Sequence, residues 1–545
     1  MPLCPSDQPT SYSLSPYSGP WTQKEASHLL RRTTFGPNQA QINSAISDGV
    51  FLTVENLLQI SSIDAPLTWY SGEAYAPFGS TWVTSFLPAD QVLRDETENA
   101  RKHSMYSWFP KRINNEQLNP PSITEKICFF WHNHFGLKNN LTDARIAFDY
   151  HELIKTFSLG NFRELIKQMT IDCNMLRFLD NHSNTNTNPN ENYARELLEL
   201  YTIGKGPQIG PGDYSNYTED DVASAARILT GWKVREYRSS TSHPYSEYQA
   251  SHHDTNDKQL SHHFNNVIVS NNEENEYEDY INIIFQQAET ANFICRKLYR
   301  YFVNFEITPQ IESQIITQMA QTLVSNNWEI RPVLKELLRS EHFYDVKLFG
   351  SNIKSPYEFV FSMLNPTLSF PNFGIEGDHV FWRELFYKCR GEEQDYLEPP
   401  SVSGWPVYYQ EPSYMRLWLN ADTLADRFDI ITDLTTGNGV GRNFNGNSYK
   451  LKIDSLVFLS TLSLPADGIQ VIEDICSLFL VKEIEQTKKD QLLNILTNGL
   501  PAFEWTIQYN EYILNPGDPN YSDPVRQRVE LVLKELFMFP EFQTI

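Results

Sequence analysis

A mainly α-helical body with one small β-hairpin insertion is the fold class this sequence predicts. Three observations carry that reading. Apolar residues recur at helical spacing through most of the chain. Capping sequences and Gly or Pro stops bracket several of those stretches. Only about 232–270 changes to short alternating runs with turn residues.

Taken in order, Thr22 and Glu25 form a capping box ahead of "EASHLLRRTTFG", which stops at Gly36-Pro37. Ser122 and Glu125 open "ITEKICFFWHNHF", closed by Gly136. Helices are predicted over 143–157, 162–178 and 191–203. Thr218 and Asp221 open the next, which Gly231 closes. The insertion holds "SHHDTNDKQLSHHF", expected to turn at Asn256-Asp257. Helical stretches follow at 277–303, 309–325, 331–339, 355–364, 413–427, 453–462, 470–480, 487–498 and 524–538. The Gly/Asn-rich run 435–448 reads as a flexible loop. It divides a helical core, 1–434, from a helical C-terminal region, 449–545, packed on that core.

A short internal repeat suggests divergent duplication of a helical unit. "ICFFWHNHF" (127–135) matches "ICRKLYRYF" (294–302), and "NFRELIKQMTIDCNML" (161–176) matches "NWEIRPVLKELLRSEHF" (327–343), in the same order. Part of the second segment recurs as "VLKELFMFPEF" (532–542).

Composition excludes several function classes. With 545 residues, 40% hydrophobic and 13% aromatic, the chain has ample material for a core. Its 44 basic and 68 acidic residues give −24, with no basic stripe, so nucleic acid and anionic membrane are poor partners. The six cysteines (4, 128, 173, 295, 389 and 476) never form CxxC, which fits a reducing compartment. The first residues lack a basic and apolar export signal, and no apolar run reaches membrane-spanning length. A soluble cytoplasmic protein is the default expectation, with export beside a partner left open.

Several phrases together resemble a large bacterial family of proteins of unknown function, numbered 1800 (DUF 1800). They include "ASHLLRRTTFGP" (26–37), "FFWHNHFG" (129–136), "NFRELIKQM" (161–169), "NENYARELLELYTIG" (190–204), "ARILTGW" (226–232), "HDTNDK" (253–258), "RKLYRYFV" (296–303), "KSPYEFV" (354–360) and "PPSVSGWP" (399–406). The resemblance spans nearly the whole chain and implies no particular reaction. Members are often encoded beside a phosphatase/sulfatase-like protein, which implies such a partner.

The polar phrases supply the candidate chemistry. In "WHNHFG", His132 and His134 lie about 200° apart on a helix, so one ion needs a frayed end to take both. The bland alternative is one packed and one surface histidine. In "NENYARELLELYTIG", Asn190 suits an N-cap, and Glu191 suits the first turn and an i,i+4 pair with Arg195. Glu196 has no capping role and is expected to be a buried partner of Arg195, a histidine or a metal. From Asp180 to Glu191 the oxygen-bearing residues approximate a calcium-loop spacing, broken by Thr185 and His182. His253 and Asp254 bring an imidazole and a carboxylate to the insertion. Together with Glu191, Glu196 and Arg195 they form a His/carboxylate set suited to acid–base work. His132, His134, Asp180 and Glu191 are the candidate ligands for a divalent metal. Arg31 and Arg32 suit an acidic group of substrate or of the protein itself. The proline-flanked Trp405 either meets a sugar or peptide face or packs on a helix.

Two function classes follow. One is a hydrolase, metal-assisted, with a His/carboxylate pocket. The other is a non-catalytic binding or assembly protein beside a phosphatase/sulfatase-like partner. Convergence of 132–134, 180–196 and 253–254 in one pocket favours the first, and dispersal favours the second.

Overall fold

Helix starts follow their capping chemistry. At Gln23–Thr33 the Thr22 hydroxyl accepts from the backbone, and the Glu25 carboxylate accepts from the Thr22 N–H at 3.0 Å. Thr218 and Asp221 repeat that box ahead of Glu219–Ile228. Ser122 and Glu125 do not. The helix Thr124–Phe135 starts without a side-chain cap, because Glu125 is bound instead by Arg112 of a neighbouring helix at 3.0–3.1 Å.

This computed structural model describes residues 8–545 apart from 63, 70, 71, 74, 118, 119, 139–142 and 368–371. Cys4 lies outside the described residues. Among them the protein is mainly α, with four two-stranded antiparallel sheets. One contiguous hydrophobic core joins helices from both ends of the chain. No helix among the described residues is long and apolar enough to cross a membrane.

Several boundaries differ from the sequence reading. The 162–178 stretch is two helices, because the Asp172 carboxylate accepts from the Met175 N–H at 2.9 Å and caps Cys173–Phe178. The 277–303 stretch is also two, Glu276–Ile284 and Ala288–Phe302. Helix Glu191–Glu196 continues as a π-helix over Leu197–Thr202, where the Thr202 hydroxyl donates to the Leu197 carbonyl at 2.5 Å. The insertion holds two hairpins rather than one. Trp232–Arg235 pairs with Tyr245–Tyr248, and Lys258–Gln259 pairs with Ile268–Val269. Asn256-Asp257 therefore lies between hairpins, and its turn forms because the Asp254 carboxylate accepts from the Asn256 N–H at 2.9 Å.

The run 435–448 is not an unpaired loop. Val440–Phe444 pairs with Asn447–Leu451 across Asn445-Gly446, whose φ values of 48° and 79° are the two left-handed residues a tight hairpin needs. This hairpin lies on the helix Gly374–Gly391. That helix in turn packs along most of Gln91–Gln117, the most extensive helix pairing in the fold. Neither of the two helices is among those predicted from sequence.

Long-range polar contacts close the molecule. Arg31 and Arg32 are both buried, and neither forms an ion pair among the described residues. Arg31 donates to the carbonyls of Leu478 and Phe479, ending the helix Gly468–Phe479. Arg32 donates to the Leu348 carbonyl and the Ser351 hydroxyl, each at 2.9 Å. Arg427 joins Glu392 at 3.1 Å, the Gln543 amide at 3.0 Å and the Lys354 carbonyl at 2.8 Å. The helices Phe162–Thr170 and Ile330–Leu338, which carry the second repeated segment, begin side by side. Phe162 N–H donates to Trp328 O at 2.9 Å, and Ile330 N–H donates to Gly160 O at 3.0 Å.

Candidate functional site

The polar phrases meet one another, largely through backbone carbonyls, with side-chain pairs such as Arg227–Asp254 between some of them. His132 and His134 are both buried. His132 Nε2 donates to the Tyr396 carbonyl, so Nδ1 accepts from the Tyr150 hydroxyl at 3.0 Å. Burial pushes the His132 imidazole down to about 3. His134 Nε2 donates to the Tyr201 carbonyl at 3.1 Å, and Nδ1 faces the Lys297 ammonium at 3.3 Å. Every ring nitrogen of the pair is thus engaged, on different sides of the helix, leaving no lone pair for a metal.

The loop before Glu191 spends its amides on carbonyls. Asn184 is fully buried, donating to Asn181 Oδ1 at 3.0 Å and to the Ala226 carbonyl at 2.9 Å, while its own oxygen accepts from Asn190 N–H. Asn186 donates to the carbonyls of His252 and His253. These bonds tie the loop to the insertion. They engage the Asn184 oxygen, one of the calcium-loop candidates, and Asp180 stands exposed in a left-handed conformation.

Arg195 meets Glu191 at 3.1 Å and Glu219 at 2.8 Å, on the surface. Glu196 has neither an ion pair nor a hydrogen bond among the described residues. Burial, then the neighbouring Glu199, pushes its carboxyl up to about 7. His253 is buried against Glu276, Nε2 to Oε2 at 3.0 Å, and Lys258 joins the same carboxylate at 2.5 Å. Asp254 meets Arg227 at 2.7 Å; burial opposes its charge, but Arg227 and Asn256 hold it down to about 2. The structure thus brings loop 180–190 to the turn 252–254, and His134 to Tyr201. It does not bring Glu191 or Glu196 to His132, His134 or His253 through any contact among the described residues. Trp405 packs on the "WHNHFG" helix, its ring 5.2 Å from that of Phe129, and its backbone N–H donates to Asn133 Oδ1 at 2.9 Å. The fit is close: a side chain at Gly404 would stand 2.3 Å from the Asn133 carbonyl.

The cavity with the most chemistry lies elsewhere, between Gln91–Gln117 and Gly374–Gly391. It has a volume of about 380 Å³. Ser104, Ser107, Trp108, Lys111, Arg112 and Asn115 line it from the first helix, and Ile375, Asp378, His379 and Trp382 from the second. Both sets follow helical spacing, so each helix turns one stripe to the other. Asp64 to Leu67, Trp69 and Thr81 complete the wall.

Most charges here are already paired. Lys111 meets Asp378 at 3.0 Å, and Arg112 meets Glu125 at 3.0 Å. The Arg112 guanidinium lies 4.2 Å over the Trp108 ring, and its buried Nη1 has no hydrogen-bond acceptor among the described residues. His379 stacks on Trp69 at 3.9 Å. Arg383 donates toward His379 Nε2 at 3.4 Å, so Nδ1 carries the proton and gives it to Ser107 Oγ at 2.9 Å. Ser107 in turn donates to the Ser104 carbonyl. That is the reverse of an activated serine, whose hydroxyl must donate to the imidazole. Burial and then Arg383 also push His379 down to about 2, far too weak for a general base. A wider groove of about 660 Å³ runs past Trp405 and Trp418; of its acids, Asp395 is paired with Arg390 at 3.2 Å and Glu398 with Lys102 at 3.8 Å.

Fold and cavity together define a helical protein whose polar motifs hold the scaffold and whose open chemistry is an aromatic-walled pocket. The chain belongs to the family described as Protein of unknown function (DUF1800), which matches residues 28–544. No curated protein and no solved structure matches it.

Proposed function

We propose that this is a binding protein whose cavity between Gln91–Gln117 and Gly374–Gly391 takes a small, neutral, ring-bearing ligand with hydrogen-bond-accepting oxygens. The observation that carries the reading is the cavity wall that Trp69, Trp108 and Trp382 share with Arg112, whose buried Nη1 has no acceptor among the described residues. A buried donor without an acceptor costs free energy that a ligand oxygen would recover. The aromatic rings favour a ring-shaped ligand. Pairing of Lys111 and Arg112 with acids leaves little net charge to select an anion. Hydrolysis finds less support, given the reversed Ser107–His379 bond. A binding role also accommodates a phosphatase/sulfatase-like partner, and co-purification from the native host tests that part separately.

Ile375 offers a clean test of the pocket, because it lines the cavity yet is 37% exposed. Ligand-detected NMR against neutral sugars, aromatic amides and their carboxylated counterparts should find neutral rings that bind the wild type. Ile375→Trp, filling the cavity from its rim, should abolish that binding while the protein stays folded. Binding that survives this substitution, or no binding across the panel, rules the reading out.

A further inference from the structure

The phrase "SHHDTNDKQLSHHF" contains the His-His pair twice, and the fold uses the two copies differently. His253 of the first turns inward to Glu276. In the second pair, on the single 3-10 turn His262–Phe264 beside the short strand Asp213–Tyr214, His262 is exposed and His263 is half-buried. His263 Nε2 lies 2.8 Å from Asp213 Oδ1, and the two imidazole rings lie 4.0 Å apart. We propose that Asp213, His262 and His263 bind one divalent transition-metal ion of the zinc type.

Geometry is the first support. One ligand atom from each residue lies within 4.8 Å of the others, the one such group of three or more His, Cys, Asp or Glu among the described residues. A tetrahedral ion bonded at about 2.0–2.2 Å needs its ligands roughly 3–3.5 Å apart. His262 is exposed, and rotation of its side chain supplies the remaining closure.

Preorganisation is the second. The turn that carries both histidines is fixed from below. Ser261 N–H and Oγ donate to the two oxygens of buried Asp221 at 2.7 and 2.6 Å. Ser261 Oγ accepts from His263 N–H at 3.2 Å, and Phe264 is buried in the core. Asp213 is held by its own hairpin, whose Gly212 carbonyl accepts from Glu219 N–H at 2.9 Å. Both ligand-bearing segments therefore rest on the start of one helix, Glu219–Ile228, and an ion would staple them together above it. Two imidazoles and one carboxylate form an N/O set that suits zinc, nickel or cobalt, whereas calcium and magnesium ask for oxygens throughout. Three protein ligands leave a fourth position for water or for a donor from another molecule. This site is independent of the cavity beside Arg112.

Chelator-stripped full-length protein titrated with Zn²⁺ by calorimetry tests the proposal. One ion per chain is expected, with a rise in the thermal midpoint that Ca²⁺ does not reproduce. Asp213→Asn, His262→Gln and His263→Gln should each weaken Zn²⁺ binding by about tenfold or more. His243→Gln serves as a control, because His243 forms a similar exposed pair with Asp149 at 2.6 Å that has no third His, Cys, Asp or Glu ligand among the described residues. Absence of saturable binding, an equal response to Ca²⁺, or equal affinity in all four variants overturns it.

Discussion

Glu196 stands between a helix and a π-turn, and its nearest charges do not include a dedicated cation. Arg195 is taken by Glu191 and Glu219, and Lys205 by Glu199. The sequence reading of Glu196 as a strongly stabilising buried partner is revised for that reason. Its carboxyl is pushed up to about 7 in the fold, above the ordinary value near 4.3 of an unfolded chain. A raised pKa means that stability is full below about pH 4 and is lost as the group ionises toward pH 7. Glu196→Gln should therefore match wild type at pH 4 and exceed it at pH 8. The gain should stay below about 1 kcal/mol, because the group is part-exposed and screened. Urea unfolding at both values checks this, and parallel pH profiles would refute it. The cap at Asn190 and the Glu191–Arg195 pair were readable because both partners lie within one turn. Glu219 was not, because it arrives from the next helix.

Helices were readable where apolar spacing was clean and caps were local. Gln91–Gln117 and Gly374–Gly391 lacked both signals. Pro110 interrupts the first, and glycines at 374, 377 and 391 punctuate the second. The pocket they build was missed with them, although its stripe of Ser104, Ser107, Trp108, Lys111, Arg112 and Asn115 follows helical spacing in plain sequence. The hairpin across Asn445-Gly446 was missed differently: a glycine-rich composition masked a two-residue turn signal. The insertion, by contrast, is fixed by a buried cluster whose members the sequence scatters over 253–276. Replacing Glu276 by Ala leaves the Lys258 ammonium buried without its counter-ion, 0% exposed on both side chains. We expect a cost of about 3–5 kcal/mol in urea unfolding. A loss below about 1 kcal/mol would mean that the insertion is held by its apolar contacts instead.

Across the molecule, both ends of the chain dock on its middle. Arg427 gathers Glu392, Lys354 and Gln543 into one buried junction of three distant segments. Burial already pushes Glu392 up to about 7, against the pull of Arg427. Arg427→Met removes that pull and leaves the carboxylate alone. At pH 8 the variant should lose about 3–5 kcal/mol. At pH 5 the loss should shrink, since Glu392 is then protonated and needs no counter-charge. A pH-independent loss would place the effect in packing against Phe359 rather than in charge.

The carbonyls that receive Arg31 have a consequence for how the protein is made. Leu478 emerges from synthesis 447 residues after the guanidinium that it satisfies. Until then the first helix carries a charge meant for the interior with only the Ser27 hydroxyl of its own helix beside it. The amino-terminal part of the chain must wait for the last quarter before it can close, so a prematurely terminated chain exposes an unfinished interior. Such fragments expose the apolar surface that chaperones and proteases recognise.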